Sequence, residues 1–246
     1  MIRGFYAAVS GMVSSFARAQ TVSNNLANLG TAGFKEDINS FRSFRTMLLN
    51  KIAADGQQPV GRLSNGSEIT RAVLKMDQGS LRETDNPLDI AVEGPGFFTV
   101  QTPLGVSYTR TGQLYRDRLG NLVTGDGAAV MGQNGPIVLA SSDAQFAPDG
   151  TVLVGGVPVD QLQLVEFENP DSLKKQGANR YRATEDPIAA TSTGVHGGFL
   201  EESNVDSTRA VVDLALVQRA YDASQMLTRL NDDTLRSAVN EVGRVG

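Results

Sequence analysis

Two stretches at opposite ends of this chain carry apolar residues at helix-pairing intervals, and both stripes need something to pack against. Near the N-terminus Ile2, Phe5, Val9, Met12 and Phe16 are spaced 3-4-3-4, with Ala19 continuing the series. That is the a/d pattern of a helix lying along another helix. Near the C-terminus Leu216, Ala220, Ala223, Leu227 and Leu230 are spaced 4-3-4-3, in a run from Ser207 to Val242 that contains neither Gly nor Pro. If helical throughout, that run is roughly 50 Å long at 1.5 Å per residue. Asn204 or Asp206 can cap its start, because either side chain accepts a bond from a free backbone N–H. The stripes predict mutual pairing, pairing with a partner's helices, or both. An amphipathic helix lying on its own domain would show the same spacing.

Between the first stripe and the rest lies "SNNLANLGTAGFK", Ser23 to Lys35. Asn bonds its own backbone and tolerates left-handed geometry, and Gly30 and Gly33 relieve the same constraint. The stretch reads as a helix end and a turn, with Asn24, Asn25 and Asn28 fixing the end and Phe34 anchoring the exit. From about Glu36 to Arg71 periodicity fades, and "AADGQQPVGRLSNGSE" is polar and Gly-bearing. This predicts a linker, a long loop or an extended arm.

From about Ala72 to Leu200 the signals are β. Short runs such as "LDIAV", "GFFTV", "VSYTR", "IVLA" and "TVLVGG" are separated by turn formers, among them Asp149-Gly150 and Gly155-Gly156. The 26 glycines suit a turn-rich region. Gln161-Leu162-Gln163-Leu164 alternates cleanly, then Val165-Glu166-Phe167-Glu168 alternates with the apolar phase flipped. That predicts a bulge or a strand buried on both sides. The fold class is α+β: paired N- and C-terminal helices and an antiparallel all-β middle domain. The expected boundaries are 1–35 for the first helix and turn, 36–71 for the linker or arm, 72–200 for the β domain and 201–246 for the last helix.

Chemistry is hard to find. The chain has 246 residues, 40% of them hydrophobic, enough for a sizeable core. It has no Cys, which excludes disulfides, thiolate metal sites and a Cys nucleophile. Its one His, His196, sits among glycines in "TGVHGGFL", at a turn or strand edge. No carboxylate cluster shows metal-ligand spacing, and Asp117 and Asp149 precede Gly as hairpin residues do. "LDIAVEGPGFF" has two of the three dinucleotide-fingerprint glycines, but Thr99 stands at the third place and no helix pattern follows, so a tight turn between strands fits better. A net charge of −5 advertises no nucleic-acid surface. No stretch is long and apolar enough for a membrane span. "GFYAAVSGMVSSF" followed by Ala17-Arg18-Ala19 imitates a secretory signal, but it lacks Leu, contains two Gly and polar Ser, and has a helical period that a signal core does not need. The expectation is a non-enzymatic chain with no cofactor and no metal, whose ends serve assembly.

Particular blocks carry a resemblance. "SGM" at Ser10–Met12, "NNLAN" at Asn24–Asn28 and "TAGFK" at Thr31–Lys35 resemble the N-terminal signature of the bacterial flagellar rod and hook proteins. "QGSLRETDNPLDIAVEGPGFF" from Gln78 and "YTRTGQLYRDRLGNLVT" from Tyr108 resemble its central blocks. "GFLEESNVD" from Gly198 and "QRAY" at Gln218–Tyr221 resemble its C-terminal signature. The blocks follow the family's order along nearly the whole chain. "VQTPLGVSYTR", "GQNGPIVLASS", the length and the ending "AVNEVGRV" look most like the proximal-rod branch, with the distal-rod branch next. The hook branch usually carries a larger outer insertion. Arg209 stands where the family often has an acidic residue, and "TRLNDDTLRS" is more polar than the usual end.

The resemblance implies an axial protein of the flagellar basal body. Such a protein leaves the cytoplasm through the flagellar type III export apparatus without a cleaved signal. It would assemble with itself and with other rod and hook proteins into a tube, its end helices forming a coiled-coil inner domain and its β domain lying outside. The assembly residues would be Ile2, Phe5, Val9, Met12, Phe16, Asn24, Asn25, Leu26, Asn28, Phe34, Leu216, Ala220, Tyr221, Ala223, Leu227 and Leu230. A secreted β-rich binding module accounts for the middle domain but not for the end segments, and a hydrolase lacks its active-site constellation.

Overall fold

The computed structural model describes residues 2–43, 47–53, 56–63, 67–141 and 143–243, with side chains described for 4–40, 73–141, 143–241 and 243. Helix α1 spans Ile2–Ala27 and helix α2 spans Ser207–Val242. Among the described residues every other regular element is a strand except a short 3-10 turn at Pro170–Ser172. No helix among the described residues is long and apolar enough to cross a membrane.

The chain divides into two compact units. One comprises Met1–Leu26, Asp37–Val73 and Asp206–Gly246; the other comprises Ala27–Glu36 and Leu74–Val205. The first holds both helices and the segment expected as a linker or arm. That segment is not structureless. Asp37–Ser43 pairs with Ser67–Leu74, and Met47–Ala53 pairs antiparallel with Gly56–Leu63. Strand pairing satisfies backbone groups whatever the side chains are, which is why apolar alternation gave no signal there.

The second unit is an antiparallel β structure. In its largest sheet Leu173–Gly177, Arg180–Ala183, Gly105–Thr109, Phe97–Thr102, Ala129–Gly132, Leu122–Thr124 and Leu114–Arg116 lie side by side in that order. A three-stranded sheet is formed by Ala144–Phe146, Thr151–Val154 and Val157–Gln161. Ile90–Glu93 pairs with Gly194–Gly197, and Leu81–Glu83 with Phe199–Glu201. The main core gathers Ile90, Val92, Phe98, Val100, Leu114, Leu122, Val130, Ile137 and Leu139, all essentially inaccessible to solvent. Burying each such side chain contributes about 1.5–3 kcal/mol. A second cluster surrounds Phe97, Tyr108, Phe167 and Tyr181, whose rings meet edge to face at 5.0–5.8 Å. Such pairs prefer this arrangement because the ring edge is positive and the face negative.

The phase flip near Gln163 has a different cause from a bulge. Val157–Gln161 belongs to the three-stranded sheet, whereas Leu164–Glu166 pairs with Phe97–Thr102 in the large one. The chain changes sheets at Leu162 and Gln163, and Leu162 and Val165 are both buried. The "GPG" stretch is a tight turn between Ile90–Glu93 and Phe97–Thr102, with Gly94 at φ 107°. A Cβ at Gly94 would lie 2.7 Å from Ser192 O, so the turn demands Gly twice over.

Carboxylates hold several loops of this unit. Asp117 accepts from the Asn121 side chain at 2.8 Å and from the backbones of Leu119 and Asn121, and these bonds lower its pKa. Asp149 is lowered likewise by Thr151, through its backbone N–H at 3.0 Å and its hydroxyl at 2.9 Å. Burial pushes Glu166 up, but donors from Thr193, Ser192 and Thr191 outweigh it and the net direction is down. A carboxylate with a depressed folded pKa stabilises above its unfolded value and loses that contribution as pH falls through the folded one. The melting temperature of the β unit is therefore expected to hold at neutral pH and to drop steeply below about pH 4. Melts followed by circular dichroism between pH 7 and pH 2.5 check this; an Asp117→Asn/Asp149→Asn chain should show a flatter acid limb.

Candidate assembly surfaces

In the helical unit, α1 and α2 touch along a narrow line. A Cβ at Gly4 would lie 3.4 Å from Asn231 Oδ1, and one at Gly11 would lie 3.1 Å from Ser224 Oγ. The Thr228 hydroxyl lies 3.6 Å from Met12 Sδ, and the Arg18 guanidinium 3.6 Å from the Asp213 carboxylate. Positions rise along α1 as they fall along α2, so the helices run antiparallel. The less exposed positions of α2 include Ala210, Leu214, Val217, Tyr221, Ser224, Thr228, Asn231 and Leu235, with Asp213, Gln225 and Ala238 partly covered as well. The spacing from Ala210 to Leu235 in that series alternates four and three, so they form one stripe along the helix. Where it meets Gly4 and Gly11 it is polar and small. Thr228 and Asn231 also bond back to carbonyls one turn earlier, Ser224 O and Leu227 O.

The apolar stripe read from the sequence lies on another face of α2. Leu216, Leu227 and Leu230 are 52%, 53% and 55% exposed, and Ala220 and Ala223 are exposed beside them. Tyr221 is half-buried. On α1, Phe5 and Phe16 are exposed, while Val9, Met12 and Leu26 are half-buried. The side chain of Ile2 lies outside the described residues. Large apolar groups thus face outward on both helices, while the less exposed stripe of α2 mixes apolar residues such as Leu214 and Val217 with the small and polar ones that meet Gly4 and Gly11.

The Asn-rich stretch holds the end of α1 and the turn after it. The helix passes through Asn24 and Asn25 and ends at Ala27. Asn25 is buried, and its amide bonds both the N–H and the C=O of Asp37, at 3.0 and 2.9 Å, as a neighbouring strand would. One helical turn earlier Thr21 exchanges bonds with the Asn39 side chain at 2.9 and 3.1 Å, and Asn39 reaches Ala17 O. These side chains fasten the first strand of the arm to α1, so the helix tolerates a residue it otherwise disfavours. Asn28, past the helix, accepts from the Thr31 hydroxyl at 3.2 Å.

The β unit contains a charged constellation that periodicity did not suggest. Lys35 Nζ meets Glu201 Oε1 at 2.6 Å, both side chains fully buried. The same ammonium donates to Asp77 O at 2.7 Å, and Glu201 Oε1 also accepts from Gly79 N at 2.9 Å. Arg110 approaches Glu201 Oε2 at 3.6 Å and lies over the Phe97 ring at 4.9 Å. Burial lowers the pKa of Lys35 and of Arg110, and the Glu201 charge opposes the shift in both. Phe34 is buried under Lys175, whose Nζ lies 4.2 Å from its ring centre. Gly33, at φ 68°, presses against the Arg110 carbonyl, where a Cβ would come within 2.5 Å. The cap of α2 is Asp206, which accepts from Arg209 N at 3.0 Å. Asn204, the alternative cap, instead accepts from Glu36 N at 2.8 Å and donates to Lys75 O and Asp77 O at 2.8 and 3.0 Å. A signal was present: Lys35, Arg110, Gly79, Glu201 and Asn204 each sit in one of the quoted sequence blocks. His196 pairs with Glu93 at 2.6 Å, partly exposed, on a two-stranded ladder.

Comparison with known proteins gives the family. The family model described as the flagellar hook protein FlgE/F/G D1 domain matches residues 91–154. The model described as the flagellar basal body rod FlgEFG protein C-terminal matches residues 196–241. Over the whole length the chain is 32% identical to flagellar basal-body rod protein FlgG of Bacillus subtilis, with 98% of this chain and 99% of that protein aligned. It is 30% identical to flagellar basal-body rod protein FlgF of Caulobacter vibrioides, with 100% of each aligned. It is 28% identical to flagellar hook-basal body complex protein FlhO of Bacillus subtilis, again over 100% of each.

Proposed function

The chain belongs to the flagellar basal-body rod and hook protein family, where it is a structural rod subunit and not an enzyme, and we propose that it builds the proximal rod through the outward apolar stripes of α1 and α2. The observation that carries this reading is the exposure of Phe5, Phe16, Leu216, Leu227 and Leu230 beside a small, polar line of contact between the helices. Exposed apolar stripes at heptad spacing are satisfied by further helices. The helices of neighbouring copies, and of other rod and hook proteins, supply them in a coiled-coil inner domain that lines the export channel. Head-to-tail contact between identical subunits is heterologous and builds an open helical tube. The subunit reaches its place through the flagellar type III export apparatus with its N-terminal helix uncleaved, since α1 is needed in the assembly.

Support for the proximal branch comes from the blocks "VQTPLGVSYTR" and "GQNGPIVLASS" and from the close match in length to FlgF of Caulobacter vibrioides, 252 aligned positions for 246 residues. The similarity to FlgG of Bacillus subtilis favours the distal rod as the second reading. Isolated basal bodies decide between them. Antibody labelling is expected at the inner end of the rod, and mass spectrometry of the extracted subunit should recover a peptide containing Phe5. Label at the outer end establishes the second reading. Basal bodies without the protein would overturn both.

A further inference from the structure

Three segments remote in sequence cross at one place in the β unit: Gly33–Glu36, Lys75–Gly79 and Glu201–Asn204. Their backbones bond directly. Gly33 N donates to Glu201 O at 2.8 Å, Lys75 N to Glu36 O at 2.9 Å, and Glu202 N to Ser80 O at 2.9 Å. Lys35 and Glu201 then tie all three together, Lys35 through Asp77 O and Glu201 through Gly79 N. Asn204 ties them a second time, through Glu36 N, Lys75 O and Asp77 O. Gly79 lies so close to Glu202 O that no side chain fits there.

These segments are also where the chain leaves the unit. Residues 27–36 follow α1 and precede the arm, Leu74 follows the arm, and Val205 precedes α2. Three of the four covalent exits of the unit, after Glu36, before Leu74 and after Val205, therefore adjoin this crossing, and the fourth, before Ala27, lies six residues ahead of Gly33. Each of the three is bonded on its inner side by groups belonging wholly to the β unit. A helix beyond such a crossing can gain or lose order without withdrawing any of the bonds that fix the exit.

We infer that the Lys35–Glu201 pair and Asn204 form an insulating clasp, which keeps the β unit ordered whether or not α1, the arm and α2 are ordered. This goes beyond the rod reading and does not depend on it, because it concerns the single chain. The clasp gives a subunit whose helices can be rearranged by partners at no cost to the β unit. It also makes the "TAGFK" and "GFLEESN" blocks part of that unit rather than of the helices.

Hydrogen exchange of the full-length chain, read by mass spectrometry, tests the inference. Ala223→Pro breaks α2 in its interior, since Pro removes a helix bond and clashes with the preceding turn. In that variant, exchange of peptides covering 207–242 should rise at least tenfold. Peptides covering 28–36, 75–102 and 198–205 should keep their wild-type rates. Adding Asn204→Ala should let the loss spread, with at least tenfold faster exchange in 28–36 and 198–205. If Ala223→Pro alone loosens those segments tenfold, there is no insulation and the inference fails. If the double variant protects them as well as Ala223→Pro alone, Asn204 is not part of the clasp and the inference fails in that form. The ion pair supplies a second readout that survives a poorly folding Asn204 variant. Glu201→Gln strands two buried cations, Lys35 and Arg110, and should lower the melting temperature of the β unit by about 10 °C, whereas Lys35→Met/Glu201→Gln removes one of them and should recover part of it. Equal loss in the single and double variants would mean that the pair serves only packing, and the clasp would be overturned.

Discussion

Replacing Leu227 with Asp is expected to abolish rod incorporation and motility while leaving the isolated chain folded. Leu227 is 53% exposed, so in the free subunit a carboxylate there stays in water. The cost to the monomer is the small difference in helix propensity, about 0.5 kcal/mol. In the rod the same side chain would be covered by a neighbour's helix. Burying an unpaired carboxylate there costs several kcal/mol, and each 1.4 kcal/mol is tenfold in association. Loss of about a thousandfold in subunit affinity is enough to stop growth of the rod. Val217, one face away and 2% exposed, gives the contrast. Val217→Asp should unfold the helical unit itself, visible as lost helix signal in the free chain. Motility assays, basal-body purification and circular dichroism of the two variants separate the cases. Normal motility in Leu227→Asp would show that this stripe is not covered, and the proposed surface would be wrong.

That contrast marks how far periodicity reaches. Spacing located both helices, because an apolar stripe needs only local sequence. It left open whether the apolar stripe of α2 meets α1 or a partner's helices; the line that meets α1 includes Ser224, Thr228 and Asn231, which no hydrophobic scan picks out. Gly4 and Gly11 opposite them explain why: the missing side chains leave room for the polar tips of Asn231 and Ser224. The end of α1 falls inside the Asn-rich stretch, at Ala27 and past Asn25. Asn25 looks like a helix terminator until Asp37 is seen to satisfy its amide on both sides. In the β unit, alternation and turn residues were enough for the strands and for the Gly94 turn. They could not show that Leu162 and Gln163 pass from one sheet to another, since partners lie far away in sequence. Lys35 and Glu201 are 166 residues apart, and two charged residues in a sequence read as solvated surface. Only their membership in the quoted blocks hinted that they had a structural task.

Gly112→Ala should disable the β unit, and this is the largest effect expected of a single methyl group at any of the described glycines. A Cβ at Gly112 would overlap the carbonyl oxygen of Ile90, a backbone atom that no rotamer change can move. The two residues are also hydrogen bonded, Ile90 N to Gly112 O at 2.9 Å, and Asp89 bridges Gln113 beside them. Relief of the overlap has to pull these backbones apart, and Ile90 is fully buried in the main core. The substitution thus combines overpacking with loss of a buried backbone bond. Overpacking alone costs about 1–3 kcal/mol, and an unsatisfied buried group adds about 1–3 kcal/mol more. A total near 4 kcal/mol is a large share of a typical domain's stability. The melting temperature should fall by about 10 °C or the unit should fail to fold, with the protein found in the insoluble fraction. Gly194→Ala is the control, since a Cβ there meets nothing within 4 Å. It should melt within a degree or two of the wild type. Because Gly112 lies in the β unit, its variant should lose the β signal of the free chain before any partner is involved, whereas Leu227→Asp should lose only assembly. A Gly112→Ala chain that melts like Gly194→Ala would show that the Ile90–Gly112 crossing yields more easily than its geometry implies, and that packing there does not limit the stability of the unit.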